Sequence, residues 1–207
     1  WQRMTADWFH SRNQRTWGLV RASNAGASSL PYVIYNDYYD HRDFITALVN
    51  SGFSGVLWTP EVRASKTSEE WLRRFQSVCF SPMAMINAWS DGTKPWSYPE
   101  VENQVRDVAL LRMRLLPYIY SSFAQYRFEG KPPVRAMYLV EGFKVPAGIE
   151  VKDQFMLGDN LLVAPMFAGQ EARKVYFPEG KWYDFYTGKL AGNGGVIEVR
   201  PGLDHIP

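Results

Sequence analysis

Apolar positions in the first part of the chain follow two alternating patterns. Short apolar runs are bounded by Gly, Pro and Asn, as buried strands are. Longer stretches between them place apolar residues at helical spacing. The short runs lie at 18–20, 32–35, 55–58 and 80–86, and the helical stretches include 40–50 and 67–78. Because strands and helices alternate, the pattern predicts a parallel sheet flanked by helices.

Residues with known positional preferences predict where the helices begin and end. Gly52 follows the stretch 40–50 directly, and it predicts the end of that helix. Thr67 or Ser68, followed by two glutamates, predicts the start of the next one. Apolar spacing also predicts a long helix over 99–128. We expect a helix, or the end of one, within 1–17.

From about residue 133 the pattern changes to short strands separated by turns. The predicted strands are 134–140, 160–165, 174–177, 182–186 and 195–199. A switch from alternating strands and helices to strands alone predicts a domain boundary near 130–135. We therefore divide the chain into residues 1–132 and 133–207.

The first of these parts is predicted to be incomplete. It holds three or four strand–helix units, whereas a closed parallel barrel needs eight. A partial barrel would expose apolar strand edges. We therefore expect this chain to be a piece of a longer polypeptide, so a missing signal peptide leaves its localisation open.

Composition argues against several classes of partner. The 207 residues carry a net charge of +2, and 21% of them are charged, which predicts no basic stripe for nucleic acid. No apolar run approaches the length of a membrane-spanning helix. The single cysteine, Cys79, excludes an internal disulfide. His10, His41 and His205 lack the paired spacing of metal ligands, so no metal site or cofactor is predicted.

Aromatic residues give one positive indication. They make up 15% of the chain, and Trp and Tyr rings can stack on sugars while their polar edges reach hydroxyl groups. Ordinary packing in a β-domain accounts for the same composition equally well. The composition is thus compatible with a carbohydrate ligand without requiring one.

Polar or aromatic side chains follow each predicted strand of the first part. Arg21 follows the first strand and Asp37 the second. Trp58 with Glu61 stands at the end of the third, and Asn87 ends the fourth. Parallel barrels place their chemistry at the carboxyl ends of the strands. These five residues therefore predict a polar pocket, although loops are polar for other reasons as well.

Several motifs resemble one enzyme family, glycoside hydrolase family 31. The clearest is DQFMLGDNLLVAPMFAGQEARKVYFPEGKWYDFYTG at 153–188, with strands and turns in the family's order. EEWLRRFQSVCFSP (69–82), LRMRLLPYIYSSF (111–123) and GKPPVRAMYL (130–139) match as well. The resemblance implies an α/β fold, in which the C-terminal portion of a (β/α)8 TIM barrel is followed by part of an antiparallel β-sandwich domain.

The resemblance also implies a catalytic residue. The segments RASNAG (21–26) and PYVIYND (31–37) place Asp37 on the family's general acid/base position. Neighbouring tyrosines would partly desolvate this carboxyl group, which favours its protonated form. Capping of the next helix is an alternative role for Asp37. Asp40 and Asp43 are alternative acids, but they stand where a helix begins.

Other family positions are matched or altered. Arg21 corresponds to an arginine that contacts the sugar or the acid/base, with a structural ion pair as its alternative role. Arg73 falls on another family arginine. Glu61 stands where the family has an aspartate, while Met85 and Asn87 replace an arginine and a histidine. We expect Arg21, Trp58, Glu61, Arg73 and Asn87 to shape the substrate-binding site.

By resemblance, the function is that of a retaining, exo-acting α-glycoside hydrolase on terminal α-linked sugars. The altered positions favour a glycone such as galactose. An α-glucosidase or α-xylosidase and a catalytically silent carbohydrate-binding homologue are the alternatives. The family's nucleophile is an upstream aspartate absent from this chain. The expected partners are an oligosaccharide or glycoside substrate and the remainder of the polypeptide, with neither nucleic acid nor membrane.

Overall fold

The computed structural model describes residues 1–21, 23, 26–35, 40–88 and 93–207. Helices and short strands alternate in the first part, as predicted. The helices are α1 (Gln2–His10), α2 (His41–Ser54), α3 (Ser68–Cys79) and α4 (Glu102–Glu129). The strands are β1 (Gly18–Val20), β2 (Tyr32–Tyr35), β3 (Trp58–Thr59), β4 (Glu61–Val62) and β5 (Met85–Ile86). Of the expected N-terminal helix, only the first part is helical.

The strands pair in parallel. β1, β2 and β3 form one sheet, with Gly18 opposite Tyr32 and Ile34 opposite Trp58. β4 and β5 form a second pair, with Glu61 opposite Met85. The parallel arrangement predicted from the order of elements is thus confirmed.

The third predicted strand, 55–58, begins only at Trp58. The chain then forms two short strands, β3 and β4, on either side of Pro60, and the two pair with different neighbours. Proline has no N–H for a strand ladder, which accounts for the break. The fourth predicted strand, 80–86, is observed only as β5, Met85–Ile86, because the chain turns before it. Ser81 turns the chain before Pro82 by bonding the carbonyl groups of Val78 and Met83.

Helix α2 extends beyond its predicted end. Its N-cap is Asp40, whose side chain accepts hydrogen bonds from the backbone N–H groups of Arg42 (2.8 Å) and Asp43 (3.2 Å). The prediction that Gly52 ends the helix is wrong, because Gly55 is the left-handed C-cap. Gly52 instead permits close packing: a Cβ there would lie 2.8 Å from the carbonyl oxygen of Val134.

Helix α3 begins at the predicted residue. Thr67 is its N-cap and accepts a hydrogen bond from the Glu70 N–H at 3.1 Å. The Glu70 carboxylate in turn accepts one from the N–H of Lys66 at 3.2 Å. This reciprocal bonding resembles a capping box and satisfies backbone donors that would otherwise lack partners.

Helix α4 ends the first part of the chain, and short strands make up the second. At 28 residues α4 is long, yet among the described residues no helix has both the length and the apolar character needed to cross a membrane. The strands after it are β6 (Val134–Ala136), β7 (Phe155–Leu157), β8 (Leu161–Val163), β9 (Arg173–Phe177), β10 (Trp182–Tyr183), β11 (Leu190–Gly192) and β12 (Gly195–Val199). All of their pairings are antiparallel: β6–β7–β8, β9–β12 and β10–β11.

One hydrophobic core crosses the expected boundary at 132–133. Phe44 and Leu48 of α2 and Trp71 of α3 are fully buried and belong to the same cluster as Phe155 and Leu157 of β7. The two parts of the chain therefore pack as one unit at this junction, although they differ in their secondary structure. The boundary itself stays a prediction.

A buried histidine lies at the junction. The His41 Nε2 atom is 2.9 Å from Ser77 Oγ, and the ring packs against Phe44 and Phe167. Among the described residues, Nδ1 has no hydrogen-bond partner. Burial lowers the pKa of His41 from 6.5 to about 3, with smaller contributions from Arg74, Arg42 and Arg73. The folded chain therefore holds this side chain neutral.

Acid is expected to destabilise the fold through His41. Its folded pKa lies below its unfolded value, so its contribution to stability is complete above pH 6.5 and decreases as the pH falls toward 3. The slope is about 1.4 kcal/mol per pH unit inside that window. We expect His41→Gln to remove about 2 kcal/mol of the loss between pH 6.5 and 5, measured by denaturant unfolding of the complete polypeptide. Equal pH dependence in both proteins would contradict this assignment.

Candidate active site

Three polar side chains meet beside β4 and β5: Glu61 begins β4, Arg63 directly follows it, and Asn87 directly follows β5. The Glu61 Oε1 atom accepts a hydrogen bond from Arg63 Nε at 2.7 Å and another from Asn87 Nδ2 at 2.8 Å. Two of the three, Glu61 and Asn87, are predicted site residues. Their contact joins the two strands at the edge where a parallel barrel places its chemistry.

Backbone register brings these side chains together. Val62 is opposite Ile86, and the N–H of Asn87 donates to the Val62 carbonyl at 2.8 Å, which extends the parallel ladder by one residue. Residues two apart on a strand face the same side. Arg63 therefore emerges beside Glu61.

The three side chains are largely removed from solvent. The side chain of Glu61 is 5% exposed and that of Arg63 is 13% exposed, while Asn87 is 2% exposed as a residue. The guanidinium compensates the carboxylate charge, as a buried ion pair requires. Within the described part of the chain, Oε2 of Glu61 has no hydrogen-bond partner, whereas Oε1 has two.

Arg21 and Trp58 lie at neighbouring strands. Arg21 directly follows β1, and its Cζ is 4.7 Å from the ring centroid of Tyr35, the last residue of β2. This is a cation–π contact between two adjacent strand ends. Trp58 on β3 is 6% exposed and belongs to the hydrophobic core. Its ring therefore offers little surface for stacking on a sugar.

Asp37 lies outside the described residues. The structure does describe Asp40, whose side chain caps α2. The capping role considered for Asp37 is therefore filled by Asp40. Asp43 lies in the first turn of the same helix, where an acidic residue complements the helix dipole.

Arg73 does not join the other predicted site residues. Its guanidinium donates to the carbonyl groups of His205 (3.0 Å) and Gly202 (3.2 Å), and to Gln76 Oε1 (3.1 Å). Gln76 in turn donates to the Leu203 carbonyl at 2.7 Å. Arg73 is 2% exposed. These contacts indicate a structural link between α3 and the C-terminal segment rather than a sugar contact.

A large cavity lies at the opposite ends of the strands. It measures about 1040 Å³, and its lining includes Trp17, Tyr32, Leu57 and Met83, which precede or begin strands. Of the predicted site residues that the structure describes, namely Arg21, Trp58, Glu61, Arg73 and Asn87, none lines it. We therefore place the candidate chemistry at the carboxyl edge. Within the described residues, no cluster of three or more His, Cys, Asp or Glu side chains could hold a metal ion.

Arg63 is a site residue that the sequence analysis missed. The signal was present, because a glutamate and an arginine two positions apart on a strand face the same side. The contact with Glu61 required the structure.

Two domain models of one protein family match the chain, one after the other along its length. The profile of the glycosyl hydrolases family 31 TIM-barrel domain matches residues 1–122, and that of the family 31 C-terminal domain matches residues 130–207. The matches thus cover almost the whole chain.

Curated relatives are much longer than this chain. Alpha-glucosidase 2 of Bacillus thermoamyloliquefaciens is 29% identical over 210 residues, which cover 94% of this chain and 26% of that protein. An alpha-xylosidase of Saccharolobus solfataricus is 30% identical over 215 residues, covering 94% and 29%. The chain therefore spans between a quarter and a third of the length of these relatives.

Solved structures show the same fold. A family 31 dextranase of Flavobacterium johnsoniae, complexed with isomaltotriose, superposes with a TM-score of 0.86 and 24% sequence identity. The match covers 100% of this chain and 28% of the dextranase. Together with the two domain matches, this likeness establishes the fold as that of a family 31 TIM-barrel domain followed by the family's C-terminal domain.

Proposed function

Because this chain belongs to glycoside hydrolase family 31, we propose that the protein is a retaining, exo-acting α-glycoside hydrolase. The observation that carries the proposal is the succession of two family 31 domains along one chain. The activity belongs to the complete polypeptide, since the relatives are three to four times longer. We further propose that residues 1–132 are later units of the (β/α)8 barrel and that 133–207 begin a β-sandwich.

The mechanism that we propose uses two carboxyl groups. An aspartate from the remainder of the polypeptide attacks the anomeric carbon, and Asp37 gives its proton to the leaving oxygen. Asp37 then takes a proton from water, which attacks the anomeric carbon and releases the enzyme carboxylate. Retaining enzymes hold their two carboxyl groups about 5–5.5 Å apart. This chemistry requires no cofactor.

The sugar-binding roles fall to residues at the carboxyl edge. We propose that Glu61 and Asn87 read hydroxyl groups of the glycone, because their buried contact is preorganised. Arg21 is suited to contact the sugar or the acid/base from the neighbouring strand end. Trp58 contributes through its packing under the site. We do not assign Arg73 to the sugar, since backbone carbonyl groups occupy its guanidinium.

The identity of the glycone is a more specific proposal than the class of enzyme. Met85 and Asn87 change the donors that would read the sugar, which favours a glycone other than glucose, with galactose first. The names of the curated relatives described above favour α-glucoside and α-xyloside, and neither name includes galactose. Glucoside and xyloside are therefore the competing substrates.

A substrate panel tests both levels of the proposal. We expect the complete polypeptide to hydrolyse p-nitrophenyl α-galactoside faster than the α-glucoside and the α-xyloside, and to release the α-anomer first. The rates are measured by absorbance and the anomer by proton NMR. Faster hydrolysis of the glucoside or xyloside would overturn the galactose ranking but not the class of enzyme. Binding of sugars without any hydrolysis would favour the catalytically silent alternative.

A further inference from the structure

The two oxygens of the Glu61 carboxylate have different surroundings. Oε1 accepts from two side chains, Arg63 Nε at 2.7 Å and Asn87 Nδ2 at 2.8 Å. Oε2 has no partner within the described residues, although the side chain is only 5% exposed. Oε2 is not among the fully buried side-chain atoms that lack a hydrogen-bond partner, so a donor from outside can reach it. The arrangement therefore leaves one acceptor position open to a donor from another molecule or another part of the protein.

We propose that Arg63 is a positioning residue, which holds the Glu61 carboxylate so that Oε2 accepts a hydrogen bond from a glycone hydroxyl group. This inference rests on the proposed function, since it assigns the donor to the bound sugar. It adds a residue to the site and gives Glu61 one specific atom for recognition.

Rotation of the carboxylate is opposed by its contacts. A half-turn of the carboxylate only exchanges the two oxygens, so that Oε1 then occupies the position that accepts the sugar hydroxyl. Any smaller rotation breaks the hydrogen bonds from Arg63 and Asn87 at the same time. The Asn87 backbone is itself held by the Val62 carbonyl at 2.8 Å. The site therefore presents a carboxylate oxygen in one place before the sugar arrives, which lowers the ordering cost of binding.

The chemistry of Oε2 selects its ligand. A carboxylate oxygen accepts hydrogen bonds and cannot donate them. A sugar hydroxyl supplies the proton that it needs, whereas a sulfonate or carboxylate group on the sugar supplies none. At this position we therefore expect a hydroxyl group of the glycone and no anionic substituent.

Replacing Glu61 by glutamine puts a hydrogen-bond donor where Oε2 of the glutamate is an acceptor. The donors on Arg63 and Asn87 require an oxygen, so the amide carbonyl turns toward them. The amide NH2 group then occupies the position of Oε2 and donates instead of accepting. We expect Glu61→Gln to weaken sugar binding about 10- to 100-fold, the range for a charge-assisted hydrogen bond.

Variants of Arg63 test the positioning role in the complete polypeptide. Isothermal titration with free galactose, glucose and xylose, together with kcat and KM for the preferred p-nitrophenyl glycoside, gives the readouts. We expect Arg63→Gln to weaken binding of the preferred sugar and to raise KM about tenfold, with kcat changed less than about threefold. Arg63→Lys keeps the charge and a donor, and we expect it to restore most of the affinity.

The chain offers a matched control. Arg200 pairs with Glu198 across the same spacing of two residues, at 2.6 Å, but the two side chains are 66% and 50% exposed. We expect Arg200→Gln to leave sugar affinity and KM unchanged. Thermal unfolding of every variant separates a loss of affinity from a loss of folded protein.

Three results would overturn the inference. One is wild-type affinity and KM in a folded Arg63→Gln protein, which would leave Arg63 a purely structural role. The others are unchanged affinity in Glu61→Gln and a wild-type protein that binds none of the three sugars. By contrast, sugar binding that depends on Arg63 and Glu61, in a protein that hydrolyses no α-glycoside, would refute the proposed function and support the inference.

Discussion

Replacing Asp37 by alanine is expected to slow hydrolysis of a methyl or disaccharide α-glycoside about 10²- to 10⁴-fold, the range for loss of a general acid. Such leaving groups depart as strongly basic alkoxides unless they are protonated. The loss should be much smaller for a p-nitrophenyl glycoside, because p-nitrophenolate needs little protonation to leave. The ratio of the two losses therefore reports on the proton donor itself.

The control for this prediction stands three residues further along the chain. Asp40 caps α2 through two backbone N–H groups, so Asp40→Ala should cost about 1 kcal/mol of stability. It should not change the ratio of rates between good and poor leaving groups. The values of kcat/KM for both substrates on the complete polypeptide give the comparison. Equal losses on both substrates in Asp37→Ala would assign Asp37 a structural role.

Where the end of a helix or strand depends on neighbouring residues in the chain, the sequence predicted it. Thr67 begins α3 as its capping pattern indicates, and β12 has the predicted bounds of 195–199. The error at Gly52 has a tertiary cause. Glycine after an apolar stripe ordinarily ends a helix, but here it allows α2 to approach the Val134 carbonyl. No pattern within α2 shows that β6 will pack on it.

The residues of the candidate site could also be predicted only in part from the sequence. Family motifs and strand ends predicted Glu61 and Asn87 as site residues, and their side chains are in contact at 2.8 Å. Arg73 matched a family arginine equally well by sequence. Its partners lie 129 and 132 residues away in the chain, a separation that sequence spacing does not reveal. For Asp37, which lies outside the described residues, the assignment stays a prediction.

The turn between β7 and β8 shows where a single methyl group should have a large effect. Gly158 has φ = +60° and lies under α4. The hydroxyl group of Tyr118 on that helix donates to the Leu157 carbonyl at 2.8 Å and accepts from the Asn160 N–H at 2.9 Å. One tyrosine thereby fastens the turn to the helix from both sides of the glycine.

Gly158→Ala is expected to destabilise the protein by about 4 kcal/mol, the sum of overpacking and left-handed strain. The new Cβ would lie 2.5 Å from Ser122 Oγ and 2.7 Å from Tyr118 Cζ. Tyr118 cannot retreat without losing both of its hydrogen bonds to the turn. Thermal and denaturant unfolding of the complete polypeptide measure the loss.

A second glycine separates the two causes. Gly148 also has a positive φ, +82°, but a Cβ there would meet nothing within 4 Å. Gly148→Ala should therefore show the conformational strain alone, about 1–2 kcal/mol. If steric contact with α4 dominates at Gly158, its alanine variant must be clearly less stable than the Gly148 variant. Equal losses would mean that α4 moves away freely, and that Tyr118 does not hold the β7–β8 turn in place.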